Sequence, residues 1–131
     1  MESRIVSAIT GKDLDEVDLN KTGERIFNLQ RAILLRQGWG GRKGDRLLEY
    51  LHREPLGGMF FDPDCKAPGK DGKQISRKDA TVEKERFEKL KDEYYVLRGW
   101  DVETGFQTRK KLKELDMDDI AGDLERMKLI R

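Results

Sequence analysis

Apolar residues recur at helical steps over most of the chain, and the breaks between runs fall at glycines and prolines. Glu2 to Thr10 puts Ile5, Val6 and Ile9 on one side, and Gly11 suits a left-handed helix end. Asp13 and Glu16 have capping-box spacing, which predicts a helix from Leu14 to Gln37. Within it Ile26, Leu29 and Ile33, flanked by Phe27 and Leu34, recur at three- and four-residue steps. Ala32 and Leu35 widen this stripe, so burial on more than one side is expected. Gly23 interrupts the pattern at a cost of about 1 kcal/mol against alanine, and marks a close approach or a break.

Gly38 to Gly44 is a glycine-rich loop, and Arg46 to His52 predicts a short helix ended by Pro55. Residues 56–80 read as an irregular insertion anchored only by Met59, Phe60, Phe61 and Ile75, with a small hairpin at Asp71-Gly72. Thr81 is placed to cap a helix from Val82 to Arg98, in which Phe87, Leu90, Tyr94 and Leu97 step by three, four and three. Adjacent Tyr94 and Tyr95 point about 100° apart on a helix and cannot share one core. One of them needs an interface or a hydrogen bond through its hydroxyl. Trp100 to Phe106 is turn-like, Thr108 caps a short helix carrying Leu112 and Leu115, and Asp118 to Lys128 carries Ile120, Leu124 and Met127. The expected fold is all-α: an irregular multi-helix orthogonal bundle forming a single domain over residues 1–131. Its two longest helices should pack on each other, with Ile33 and Leu90 buried between them.

Charged residues make up 40% of the chain and hydrophobic ones 36%, so the core should be modest and a partner surface would add burial. A net charge of +1 lacks the basic excess of nucleic-acid binders, and Arg109 to Lys111 is answered by Glu114, Asp116, Asp118 and Asp119. No apolar run approaches the roughly 20 residues of a membrane span. Neither nucleic acid nor membrane is therefore an expected partner. The single cysteine, Cys65, excludes an internal disulfide and suits a cytoplasmic location.

Candidate chemistry is thin. The glycine-rich loop follows a helix instead of a strand, ends in no Gly-Lys-Ser/Thr, and has Lys43 where a dinucleotide fingerprint needs its third glycine. Cys65 and His52 are too few for a closed zinc site, and Asp62, Asp64 and Asp71 lack EF-hand spacing. Cys65 reads as a surface thiol and His52 as an exposed histidine. Glu83, Glu85, Glu88 and Asp92 read as the wet face of a helix.

Three stretches together resemble one family. Gly23-Glu24-Arg25-Ile26-Phe27-Asn28-Leu29-Gln30-Arg31 is similar to a Gly-Glu-Arg-Ile-aromatic-Asn-Leu-x-Arg signature of aldehyde ferredoxin oxidoreductases. Arg36-Gln37-Gly38-Trp39, then Arg42-Lys43 and Asp45, resembles the segment that follows it. Asp92-Glu93-Tyr94-Tyr95-Val96-Leu97-Arg98-Gly99-Trp100-Asp101 resembles the family's acidic Glu-Tyr-Tyr-x-x-Arg-Gly-Trp block. Thr108 to Leu115 is similar to the last helix of the family, with Asp116 in place of a glycine.

The resemblance implies the distal helical part of an enzyme that oxidises aldehydes to acids and passes electrons to ferredoxin. In that family the cofactors are a tungsten bis-pterin and an iron–sulfur cluster, held by motifs upstream of the Gly-Glu-Arg block. No catalytic, cofactor or metal residue is therefore carried over to this chain. The length of the insertion leaves open a relative that reduces the ring of an aromatic acyl-CoA. The implied partners are the remainder of the oxidoreductase and, through it, ferredoxin. Trp39, Tyr95 and Trp100, beside glycine-marked helix ends, are the expected docking residues, and an uncovered patch there would let copies self-associate. The competing reading, from another class, is a free-standing helical interaction module.

Overall fold

The computed structural model describes residues 1–58 and 60–131; Met59, one of the expected anchors of the insertion, lies outside the described residues. The regular elements are six α-helices and one two-stranded sheet among the described residues. In chain order they are α1 (Glu2–Thr10), α2 (Glu16–Arg36), α3 (Tyr50–Arg53), β1 (Lys66–Pro68), β2 (Gln74–Ser76), α4 (Lys84–Arg98), α5 (Arg109–Glu114) and α6 (Asp118–Arg126). The fold is mostly helical, and the sheet corrects the all-α expectation. The chain divides into two compact units, one of Met1–Asp45 with Tyr94–Arg131 and one of Arg46–Glu93.

In the first unit α1 ends as expected, with Gly11 left-handed at φ 69°. The capping box of α2 lies two residues later than its predicted place. Asp15, not Asp13, accepts from the backbone N–H of Asp18 at 2.8 Å, and the Asp18 carboxylate accepts from the Asp15 N–H at 3.3 Å. Helix α2 buries Asn28, Arg31, Ala32 and Leu35 and leaves its strongest apolar stripe, Ile26, Leu29 and Ile33, exposed. The core is instead the cluster of Ala32 with Leu112 and Leu115, Met117, and Ala121 and Leu124 of α6, backed by Ile120, Leu129 and Ile130. Asn28 and Arg31, on the same buried line of α2, bond to Asp45, the Gly105 carbonyl, Trp100 and Gln107, all outside the C-terminal helices. The expected burial of Ile33 and Leu90 is thereby corrected: Ile33 is 44% exposed and Leu90 54%.

In the second unit α3 is shorter and later than predicted. The Val82 N–H donates to the Leu51 carbonyl at 3.0 Å, which ties that residue to α3 and delays the start of α4 to Lys84. Strands β1 and β2 pair antiparallel with Ala67 opposite Ile75. Asp71 and Gly72 are both left-handed, at φ 65° and 69°, which is the backbone that makes Asp-Gly a hairpin signal. The ends of the insertion are joined by Leu56 N–H to Ala80 O and Asp79 N–H to Leu56 O, each at 2.9 Å.

Candidate functional site

The residues that carry the family resemblance converge in the first unit on one polar and aromatic knot. Asp45 is its hub. A 3₁₀ turn at Gly41–Lys43 places it, with the Asp45 N–H donating to the Gly41 carbonyl at 3.0 Å. Arg31, from the buried line of α2, donates Nη1 to Asp45 Oδ1 at 2.8 Å and Nη2 to Oδ2 at 2.6 Å. Tyr95 Oη donates to Oδ2 at 2.5 Å and Trp39 Nε1 to Oδ1 at 2.8 Å. Burial pushes the Asp45 carboxyl up, but the hydrogen bonds from Arg31, Tyr95 and Trp39 and the guanidinium charge outweigh it and hold it below the usual carboxylate range. Burial and the bond to that carboxylate push the Tyr95 phenol well above its ordinary value.

A second layer lies against the first. Asn28 Oδ1 accepts from Trp100 Nε1 at 3.0 Å and from Gln107 Nε2 at 2.7 Å. Trp100 stacks on Phe27 at 5.9 Å, and Arg31 sits 4.7 Å from the Trp100 ring centroid. The turn at Gly105 closes the knot: its carbonyl accepts from Arg31 Nη2 at 2.8 Å, and its φ is 66°. A Cβ at Gly105 would lie 2.8 Å from the Arg42 backbone nitrogen and 2.9 Å from Tyr95 Oη, so glycine is required there on two counts.

This arrangement clasps α2, the glycine-rich loop and the end of α4 together. The bonds at Asp45 favour its ionised carboxylate and a protonated Tyr95. Several amides of the glycine-rich loop are taken up within the first unit. Arg42 N–H goes to Thr104 O, Lys43 N–H to Gly40 O and Gly44 N–H to Gly41 O, so these three amides are not directed at a phosphate. In the second unit Cys65 is buried, not a surface thiol, and its Sγ donates to the Gly57 carbonyl. His52 is half-buried and not exposed; its Nδ1 bonds the Val82 carbonyl and its ring meets Phe87 edge-on. Among the described residues no group of three His, Cys, Asp or Glu side chains is placed to hold a metal ion.

The expected docking aromatics separate. Trp39 is 43% exposed even though its N–H is tied to Asp45. Tyr95 and Trp100 are 1% and 5% exposed, so as accessible docking residues they are corrected. Their N–H and O–H groups found partners inside the chain, which removes the cost of burying them. Tyr94 takes the outer side of α4 instead. Gln107 was missed altogether: it is fully buried on a one-residue bridge to Trp100, too short for any periodicity to reveal.

Residues 1–117 match the family model described as aldehyde ferredoxin oxidoreductase, domains 2 & 3. The chain is 32% identical over 115 residues to the tungsten-containing aldehyde ferredoxin oxidoreductase of Pyrococcus abyssi (strain GE5 / Orsay). That alignment covers 88% of this chain and 16% of that protein. It is 31% identical to the tungsten-containing aldehyde ferredoxin oxidoreductase of Pyrococcus horikoshii over the same length and shares. The chain thus spans about a sixth of the length of the curated relatives it matches.

Proposed function

This chain belongs to the aldehyde ferredoxin oxidoreductase family, and from that premise we propose that it is the distal helical segment of a tungsten-dependent oxidoreductase, holding shape and contact surface while the redox chemistry resides in the rest of the enzyme. In that enzyme the tungsten bis-pterin and iron–sulfur cluster would oxidise an aldehyde to a carboxylic acid and pass the electrons to ferredoxin. The observation that carries the reading is the closed clasp at Asp45. Arg31, Asp45, Tyr95, Asn28 and Trp100, all from the stretches that resemble the family, hydrogen-bond to one another.

The apolar stripe of Ile26, Leu29 and Ile33 and the exposed faces of Ile5 and Ile9 supply surface for the remainder of the enzyme. The test is fractionation of source cells, following peptides of this chain, tungsten, and aldehyde-dependent reduction of a dye. All three should elute together. Peptides of this chain that elute apart from tungsten and activity contradict the proposal.

A further inference from the structure

Gly23 lies inside α2, where an interior glycine weakens a helix relative to alanine. Nothing among the described residues demands it: a Cβ there would meet no atom within 4 Å. It opens onto a groove lined by Leu19, Asn20, Gly23, Glu24, Phe27 and Arg98. The Arg98 guanidinium sits 4.4 Å from the Phe27 ring centroid and 5.2 Å from that of Tyr94. The rings hold the cation in place but take none of its N–H donors in ordinary hydrogen bonds. Arg98 has no carboxylate partner among the described residues, and the acid nearest in the lining, Glu24, is already paired with Lys111 Nζ at 2.8 Å.

A positioned guanidinium beside a bare stretch of helix backbone is complementary to an anionic group on a chain segment that approaches closely. We propose that this groove seats a segment of the tungsten-containing catalytic part of the enzyme, with its backbone against Gly23 and one of its carboxylates on Arg98. The occupant follows from the charge and from the tungsten-containing relatives, of whose length the matched stretch is only 16%, so that most of such an enzyme lies outside it. The inference rests on the functional reading above and adds the place and chemistry of contact.

The test uses the full 131-residue chain and the tungsten-containing part isolated from source cells without this segment, with binding measured by titration calorimetry and each chain variant melted alone. Gly23→Leu should melt at or above the wild-type temperature yet bind at least tenfold more weakly, a combination that a purely structural glycine would not give. Arg98→Ala should weaken binding to a similar degree, Arg98→Lys should recover part of it, and Lys70→Ala at the hairpin tip should bind as wild type does. If Gly23→Leu does not fold, the Arg98 pair decides alone. Binding by wild type that neither Gly23→Leu nor Arg98→Ala weakens overturns this inference and leaves the functional reading standing. Failure of the wild-type chain to bind the tungsten part sinks the functional reading, and the assignment of the groove with it. A wild-type dimer that Gly23→Leu converts to monomer shows that a second copy fills the groove, and also overturns the proposal.

Discussion

Arg31 and Asp45 meet as a two-point ion pair, each terminal nitrogen of the guanidinium on its own carboxylate oxygen, with the arginine side chain 8% exposed and the aspartate 21%. The planar fork of arginine matches a carboxylate in a way the point charge of lysine does not. The pair joins α2 to the glycine-rich loop, and Tyr95 brings in the last turn of α4. Three stretches distant in sequence are thus fixed by one carboxylate.

Asp45→Asn keeps the side-chain volume and removes the charge, leaving the Arg31 cation buried without its counter-ion. Loss of one partner of such a pair should cost about 3 kcal/mol. Equilibrium urea unfolding reads this directly, and a loss below about 0.5 kcal/mol would mean the clasp contributes little.

The same carboxylate sets the acid limit of the fold. Its folded pKa lies below the unfolded value of about 3.9, so its contribution is full above that pH and is lost as pH falls through the folded pKa. Stability should therefore drop from about pH 4 downward, and Asp45→Asn should flatten that slope. Tyr95 acts at the opposite end. Its raised pKa means that its contribution is full below about pH 10 and lost as pH rises further, a slope that Tyr95→Phe should remove. Unfolding free energies measured across both limbs check the two signs independently.

Leu124 is fully buried among Ala32, Leu112 and Ala121, whereas Leu90 is mostly exposed. Leu124→Ala should cost about 2–5 kcal/mol. Leu90→Ala should stay within about 0.5 kcal/mol, as surface substitutions usually do. Equal losses at the two sites would place the core elsewhere.

Gly105→Ala should destabilise by more than about 1 kcal/mol, since the residue combines a left-handed backbone with contact to Arg42, Tyr95 and Arg31. Thermal melts of the variant read the loss. Wild-type stability would show that the turn relaxes without cost.

Helix positions were legible from periodicity because glycines and Thr108 punctuate the chain, and the Asp71-Gly72 hairpin followed from its turn chemistry. Which face of α2 is buried was not legible. The stripe of Ile26, Leu29 and Ile33 is more apolar than the line of Asn28, Arg31, Ala32 and Leu35, yet the latter is covered, because its polar groups meet partners from distant segments. Periodicity weighs apolar residues and is blind to a polar residue whose partner lies more than seventy positions away, as Trp100 and Gln107 do from Asn28. For the same reason Tyr95 and Trp100 read as surface anchors: nothing near them in sequence announced Asp45 or Asn28. Of the two adjacent tyrosines, which cannot share one core, Tyr95 is the one whose buried hydroxyl is bonded.

The most direct test of the central claim is the ratio of tungsten to this chain, with metal determined by inductively coupled plasma mass spectrometry and the chain by quantitative peptide mass spectrometry. A fixed, near-stoichiometric ratio is expected in the native enzyme purified from source cells, and no tungsten or iron on the chain expressed alone. Near-equimolar tungsten on the isolated chain, or native material containing the chain without tungsten, would contradict it.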